Sequence, residues 1–257
     1  MCRHAAYVGP PLPLHRFLLD PPHSLMKQAW RPREMLSATL NADGFGFGWA
    51  RADGGLGVYT NPMPIWSDSN LAHLGASLTA PLWLANVRSA TPGQAVNQAN
   101  THPFLADGYL FSHNGFVHDF GNGPRRLMRH ALDDVFEASL RGSTDSELVF
   151  ALLRQQIRDA GTVEGGLARL FGLVSGWLDG SHGLFNLILT DGVRVHATRH
   201  AVNHAAPSLY VGRDAALFGD GWLVASEPLS PSADWRPVPE GHLVVLEGGR
   251  DPSMTPL

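Results

Sequence analysis

The chain opens Met1-Cys2-Arg3-His4-Ala5-Ala6-Tyr7-Val8-Gly9, and this stretch decides how the rest is read. Cys2 is the only cysteine in 257 residues, so neither an internal disulfide nor a cysteine-built zinc site can form within one chain. Residues 3–9 read as a short apolar strand, which sets the thiol at a strand end. Removal of Met1, favoured by the small side chain that follows it, gives Cys2 a free α-amine beside its thiol. An α-amine titrates at about 7.7–8.0 and a thiol at about 8.5, so near neutral pH the amine can take the thiol proton. A residue that carries both nucleophile and base is a known way to activate a weak attacking group.

Outward from that strand, Pro10, Pro11 and Pro13 predict its end. Helices over 14–19 and 24–30 flank the turn Asp20-Pro21-Pro22-His23. Asn41-Ala42-Asp43-Gly44 turns into a strand over 45–49 whose large/small alternation suits one closely approached face, with a hairpin partner over 56–60. Further strands are expected over 83–87 and 109–112, the latter ending at His113-Asn114-Gly115. Helices follow over 125–140, over 146–160 with Thr144 as cap, and over 164–178. In the last, Leu167, Leu170, Phe171, Val174 and Leu178 have the period of a helix laid on a sheet. From Gly183 the pattern returns to strands over 184–189, 193–198, 209–211, 223–226 and 243–246. Strands, then helices, then strands imply an α+β fold of two sheets with helices outside, in one domain over residues 2–257.

The 19 Lys and Arg against 23 Asp and Glu give a formal charge of −4, and a 44% hydrophobic, 16% charged chain can build a core rather than stay disordered. No apolar run reaches the roughly 18 residues of a membrane span. Lys27 is the sole lysine and the arginines form no long run, which argues against a nucleic-acid partner. The first residues lack the pattern of a secretory or transit signal, so a cytoplasmic location is expected. His4, His102, His113 and His118 fall on different predicted elements with no carboxylate companion at ligand spacing, so no metal is expected.

Four polar clusters remain: Arg88-Ser89-Ala90-Thr91, Thr101-His102-Pro103-Phe104, His113-Asn114-Gly115 and Ser143-Thr144-Asp145-Ser146-Glu147. An α-amino-acid head group needs a guanidinium for its carboxylate and a carboxylate for its ammonium. A developing oxyanion needs aimed donors, each worth about 3–4 kcal/mol of barrier. Taken with Cys2 in this order, the clusters resemble the class II glutamine amidotransferase domain, a family of N-terminal-nucleophile hydrolases. The resemblance implies a four-layer αββα sandwich of two mainly antiparallel sheets. It further implies that Cys2 attacks a γ-glutamyl carbonyl while the Asn114 side-chain amide and the Gly115 N–H hold the oxyanion. Arg88 then clamps the substrate α-carboxylate with Thr91 beside it, Asp145 receives the α-ammonium, and His102 lines the site. Many family members follow the arginine with an aromatic residue and then a histidine. Ser89 and Pro92 stand there in this chain, a departure that bears on the shape of the flap over the site and not on the head-group contacts.

A closer resemblance runs through the first 120 residues. Met1-Cys2-Arg3-His4, Leu18-Leu19-Asp20-Pro21-Pro22-His23-Ser24-Leu25, Gln28, residues 31–33 and Asn41-Ala42-Asp43-Gly44-Phe45-Gly46 resemble the branch of the family that hydrolyses γ-glutamyl-hercynylcysteine S-oxide in ergothioneine biosynthesis. That branch implies a small-molecule substrate and no cofactor. Its leaving half carries a trimethylammonium group and an imidazole, for which Trp30, Phe45, Phe47, Trp49 and Asp43 are the sequence candidates. The same head-group residues also suit a stand-alone glutaminase subunit that supplies ammonia to a partner, or a non-catalytic binding module.

Overall fold

Two antiparallel sheets lie face to face in the computed structural model, which describes residues 2–35, 39–91, 93–231 and 234–257. The strands are β1 (Arg3–Pro13), β2 (Phe45–Ala50), β3 (Leu56–Asn61), β4 (Thr79–Val87), β5 (Phe104–Ala106), β6 (Tyr109–Val117), β7 (Gly183–Thr190), β8 (Arg194–Arg199), β9 (Ala201–Val202), β10 (Tyr210–Gly212), β11 (Trp222–Ala225), β12 (Arg236–Pro237), β13 (His242–Glu247) and β14 (Ser253–Pro256). One sheet runs β12-β10-β11-β1-β4-β2-β3. The other runs β14-β13-β8-β7-β6-β5, with β9 paired to β7. The helices are α1 (Leu14–Leu18), α2 (Leu25–Trp30), α3 (Leu71–Ser77), α4 (Pro124–His130), α5 (Asp134–Glu137), α6 (Asp145–Ala160), α7 (Val163–Trp177) and α8 (Ala215–Phe218). The first three pack on the outer face of the β1 sheet, and α6 with α7 covers the outer face of the β6 sheet. The expected four layers are thus present.

Residue parity sets which side chains meet, because successive side chains in a strand point to opposite faces. In the β1 sheet the odd positions Ala5, Tyr7, Phe45, Phe47, Trp83 and Ala85 join the outer core under the helices. Even positions such as Ala6, Val8, Leu82, Leu84 and Val224 meet Leu110, Ile188 and Val244 of the other sheet. The Phe-Gly alternation of β2 follows from this. A Cβ on Gly46 would collide with the His102 carbonyl oxygen and approach the Tyr59 carbonyl oxygen to 2.6 Å. Three of the four aromatics expected to receive a substrate cation are therefore elsewhere: Phe45 and Phe47 are fully buried on the outer face, Phe47 stacked on Tyr59 and edge-on to Trp83, and Trp49 packs on the same side, while Trp30 is exposed at the end of α2.

Four elements differ from expectation by more than two residues, among them β4, which begins at Thr79 where a strand is expected from residue 83. The prolines do not end β1, which passes Val8, shifts register, and pairs again at Leu12 and Pro13 with Ala80 and Thr79. Proline is tolerated at such an irregularity because no ladder donor is demanded there. Strand β6 does not stop before His113-Asn114-Gly115 but carries all three in register with β7. The single helix expected over 125–140 is two short ones, α4 and α5, the second starting after Asp133 and held to α6 by the Gln155 side chain, which bonds Asp133 N and Ala131 O. The caps Thr144 and Thr162 are as side-chain oxygens should be, accepting from Glu147 N and Gly165 N.

A buried charge knot closes the start of β1 on the outer face. Arg3 is fully buried, with its Nε 3.6 Å from Glu227. Glu227 also accepts from His23 Nε2 at 2.7 Å and from the backbone N–H of Arg33 and Glu34. Burial pushes the Glu227 carboxyl up, but these donors and Arg3 outweigh it and hold it below the ordinary carboxylate range. Among the described residues no helix is long and apolar enough to cross a membrane.

Candidate active site

Sheet register brings the candidate residues to one end of the inter-sheet layer. Pairing of Arg3 with Val87 and His4 with Asn86 sets Cys2, one residue before β1, opposite Arg88, one residue after β4. Cys2 is buried, its thiol 3.9 Å from the Ser89 carbonyl oxygen. Asn86, Arg88, Ser112, Asn114, Asn186 and Ser226 share the even parity that faces this layer. The apolar packing there gives way at this end to a polar seam. His4 Nδ1 lies 3.1 Å from Ser112 Oγ, which also accepts from Asn86 Nδ2 at 3.0 Å. Asn114 Nδ2 lies 3.4 Å from Ser226 Oγ across the two sheets.

Arg88 is buried and held by the loop around it. Its guanidinium donates to the carbonyls of Asp43 and Ala95 and to Gln94 Oε1 at 3.3 Å. Gln94 Nε2 in turn donates to Asp145 Oδ1 at 3.1 Å. Asp145 begins α6, where its other oxygen accepts from Val117 N at 2.8 Å, tying the helix start to the end of β6. The Gln94 carboxamide thus spans a cation and an anion, its carbonyl toward the first and its amino group toward the second. Asp43 does not reach outward as a cation ligand, since its carboxylate accepts from Ala90 N and anchors the same loop.

Gly115 sits where only glycine fits: a Cβ there would run into the Leu184 carbonyl oxygen and stand 2.5 Å from His113 Nε2. His113 points to the helix side, bonded to Ser146 Oγ at 3.0 Å and to the Leu184 carbonyl at 2.8 Å. Burial holds its pKa below the ordinary imidazole value, against the opposing pull of Asp145. His102 is buried edge-on against Phe104, and among the described residues neither ring nitrogen has a hydrogen-bond partner. Burial, then the charges of His113, Arg88 and His4, push it well below the ordinary value, so it is neutral. Thr91 is exposed in the loop, with its carbonyl accepting from Gln94 N. Pro92, part of the departure from the family motif, and Met1 lie outside the described residues.

Gln94, Asn86, Asn186 and Ser226 are the site neighbours that no sequence motif marks. Only strand parity, once register is known, marks the last three, and it places His4 of the opening motif beside them. A cavity of about 760 Å³ opens beside this region between β3, β5 and α6, reaching Thr101, Pro103, Phe104 and Arg154, and none of Cys2, Arg88, Asn114 or Asp145 lines it. Among the described residues no three His, Cys, Asp or Glu side chains converge as a metal site requires.

Residues 22–256 match the family model of class II glutamine amidotransferases. The chain is 32% identical to a γ-glutamyl-hercynylcysteine sulfoxide hydrolase of Mycolicibacterium smegmatis, over 95% of each chain. It is 28% identical to a probable glutamine amidotransferase of Saccharomyces cerevisiae, over 96% of this chain and 82% of that one. The solved structure of a glutamine aminotransferase class-II domain protein from Silicibacter pomeroyi superposes with a TM-score of 0.73 at 26% identity, covering 99% of both chains.

Proposed function

We propose that this chain, which belongs to the class II glutamine amidotransferase family, hydrolyses the γ-glutamyl amide of γ-glutamyl-hercynylcysteine S-oxide through a thioester on Cys2. A γ-glutamyl amidohydrolase is what its relatives make it. The choice of conjugate and the use of Cys2 are our own reading. The observation that carries it is the Arg88–Gln94–Asp145 chain. A carboxamide lodged between guanidinium and carboxylate has the acceptor and donor arrangement of an α-amino-acid head, carboxylate toward Arg88 and ammonium toward Asp145.

With the glutamyl head there, the γ-carbonyl extends toward Cys2 and Asn114. The Cys2 α-amine, free once Met1 is removed, takes the thiol proton, and the thiolate adds to the γ-carbon. The carbonyl oxygen becomes an oxyanion held by the Asn114 side chain and the Gly115 N–H. Collapse breaks the C–N bond, and the protonated α-amine gives its proton to the departing amine, releasing hercynylcysteine S-oxide. Water, deprotonated by the same α-amine, then adds to the thioester, and glutamate leaves as the thiol is restored.

Mass spectrometry of the purified chain, followed by incubation of wild type and Cys2→Ala with the S-oxide conjugate and with glutamine, tests this. We expect Cys2 at the amino terminus, glutamate released from the conjugate, little from glutamine, and none with Cys2→Ala. Preference for glutamine would replace the reading with an ammonia-supplying glutaminase. Retained Met1 without turnover of either compound would leave a binding protein.

A further inference from the structure

At the seam between the sheets the Ser226 hydroxyl and the Asn114 carboxamide lie 3.4 Å apart. Ser226 follows β11 directly and is fully buried. Its backbone N–H donates to the His4 carbonyl at 2.9 Å, and its hydroxyl oxygen accepts from His4 N at 3.0 Å, so the side chain completes the last rung of the β1–β11 ladder. Its carbonyl accepts from Ser208 Oγ at 2.8 Å. The residue is fixed on every side.

A hydroxyl has one proton to donate. The Ser226 oxygen accepts from His4 N, and the atom on its other side is Asn114 Nδ2, also a donor, at 3.4 Å. Among the described residues the Ser226 proton therefore has no acceptor, while Asn114 Oδ1 is buried without a donor. Turning the Asn114 carboxamide over exchanges its two ends. Ser226 then donates to Oδ1, both groups are satisfied by one bond, and the two N–H of Nδ2 point to the opposite side.

We propose that Ser226 is the positioning residue of the oxyanion hole, its hydroxyl holding Asn114 Oδ1 so that Nδ2 faces the substrate oxygen. The inference rests on the reading of Asn114 as an oxyanion donor. It gives the hole what pre-organised stabilisation needs, a donor whose direction is set before the substrate arrives and which no water competes to turn. It also explains why a serine follows β11: an apolar residue there would leave both His4 N and the carboxamide direction unspecified.

The test is a double-mutant cycle on the full chain with Ser226→Ala, Asn114→Ala and the pair, measuring kcat and KM on γ-glutamyl-hercynylcysteine S-oxide. Ser226→Ala is expected to lower kcat roughly 10- to 100-fold, somewhat less than deleting a hole donor outright, with KM within about twofold. In the Asn114→Ala background it should cost less than about twofold, because its only route to the reaction is gone. Ser226→Thr, which keeps the hydroxyl, should restore most of the rate. Where Ser226→Ala does not fold, Ser226→Cys takes its place in the cycle. An equal loss in both backgrounds, a rise in KM alone, or an unchanged kcat would overturn the assignment. If wild type turns over no γ-glutamyl amide, the hydrolase reading falls separately, and the same cycle is then read from Cys2 alkylation by a diazoketone analogue of glutamine, whose carbonyl oxygen needs the same donors.

Discussion

At Gly115 the backbone of β6 comes so close to the Leu184 carbonyl of β7 that a single methyl group cannot enter. Gly115→Ala must push the strands apart, at a cost of about 1–3 kcal/mol of stability. The displaced N–H should also lower kcat by at least about tenfold, since catalytic geometry tolerates little misplacement. Urea midpoints and turnover check both, and a variant that keeps wild-type values in each would refute the strand-contact argument. Arg88→Lys should act differently. A lysine keeps the charge but not the planar fork, so KM should rise about 10-fold or more while kcat changes less. A fall in kcat with unchanged KM would move Arg88 from head-group binding to the chemical step. At this scale Arg88, Asn114 and Asp145 stand out in the sequence as candidates, because few residue types suit the roles proposed for them and each sits in a motif. Ser226 and Gln94 do not, since a serine or a glutamine outside a motif says nothing until the element that faces it is known; His4 lies in the quoted opening stretch, but only register shows which face it takes.

Parity is the rule at the scale of elements, and it sorts β1 into two functions. Even positions, from the preceding Cys2 through His4, face the polar seam, while Arg3 faces the knot with Glu227 on the other side. Glu227 joins the start of β1, the turn before α2 through His23, and the segment after α2 through Arg33 and Glu34. Glu227→Gln removes the charge facing a fully buried Arg3 and should cost about 3–5 kcal/mol, the usual penalty for stranding one member of a buried pair. A urea midpoint within error of wild type would show that Arg3 finds its compensation elsewhere. The strands and helices with strong apolar periods, β2, α6 and α7 among them, were readable to within a residue or two. What misled was local: prolines that β1 absorbs through a register shift, polar residues that β6 carries in register, and a helix broken in two at residues 131–133, where Gln155 fixes the backbone from α6. In each case a tertiary contact outweighs the local signal.

For the whole molecule, the order of strands, helices and strands was enough to read two sheets under helices. It could not show that the layer between them is apolar at one end and polar at the other, because that follows from register alone. The polar end carries a consequence for stability. His4, His102 and His113 are buried there or against it, and burial first, then neighbouring positive charge for His4 and His102, lowers their pKa values in the folded chain. In the unfolded chain they titrate near about 6.5. Above that pH both states hold them neutral and their burial carries no proton penalty. As pH falls below about 6.5 the unfolded state takes up protons that the folded state refuses, so stability drops by up to about 1.4 kcal/mol per pH unit for each histidine. Carboxylates held low in the fold, Glu227 among them, act only below about pH 4.5, so the interval between isolates the histidines. Urea midpoints should therefore be level from pH 8 to 7 and fall steeply from pH 6.5 to 5. Replacing His102, whose ring nitrogens have no hydrogen-bond partner among the described residues, by Phe should flatten that slope by about one proton's worth. A midpoint that stays level to pH 5, or a His102→Phe slope equal to wild type, would mean that these rings are protonated in the folded protein and that the buried end of the sandwich accepts charge.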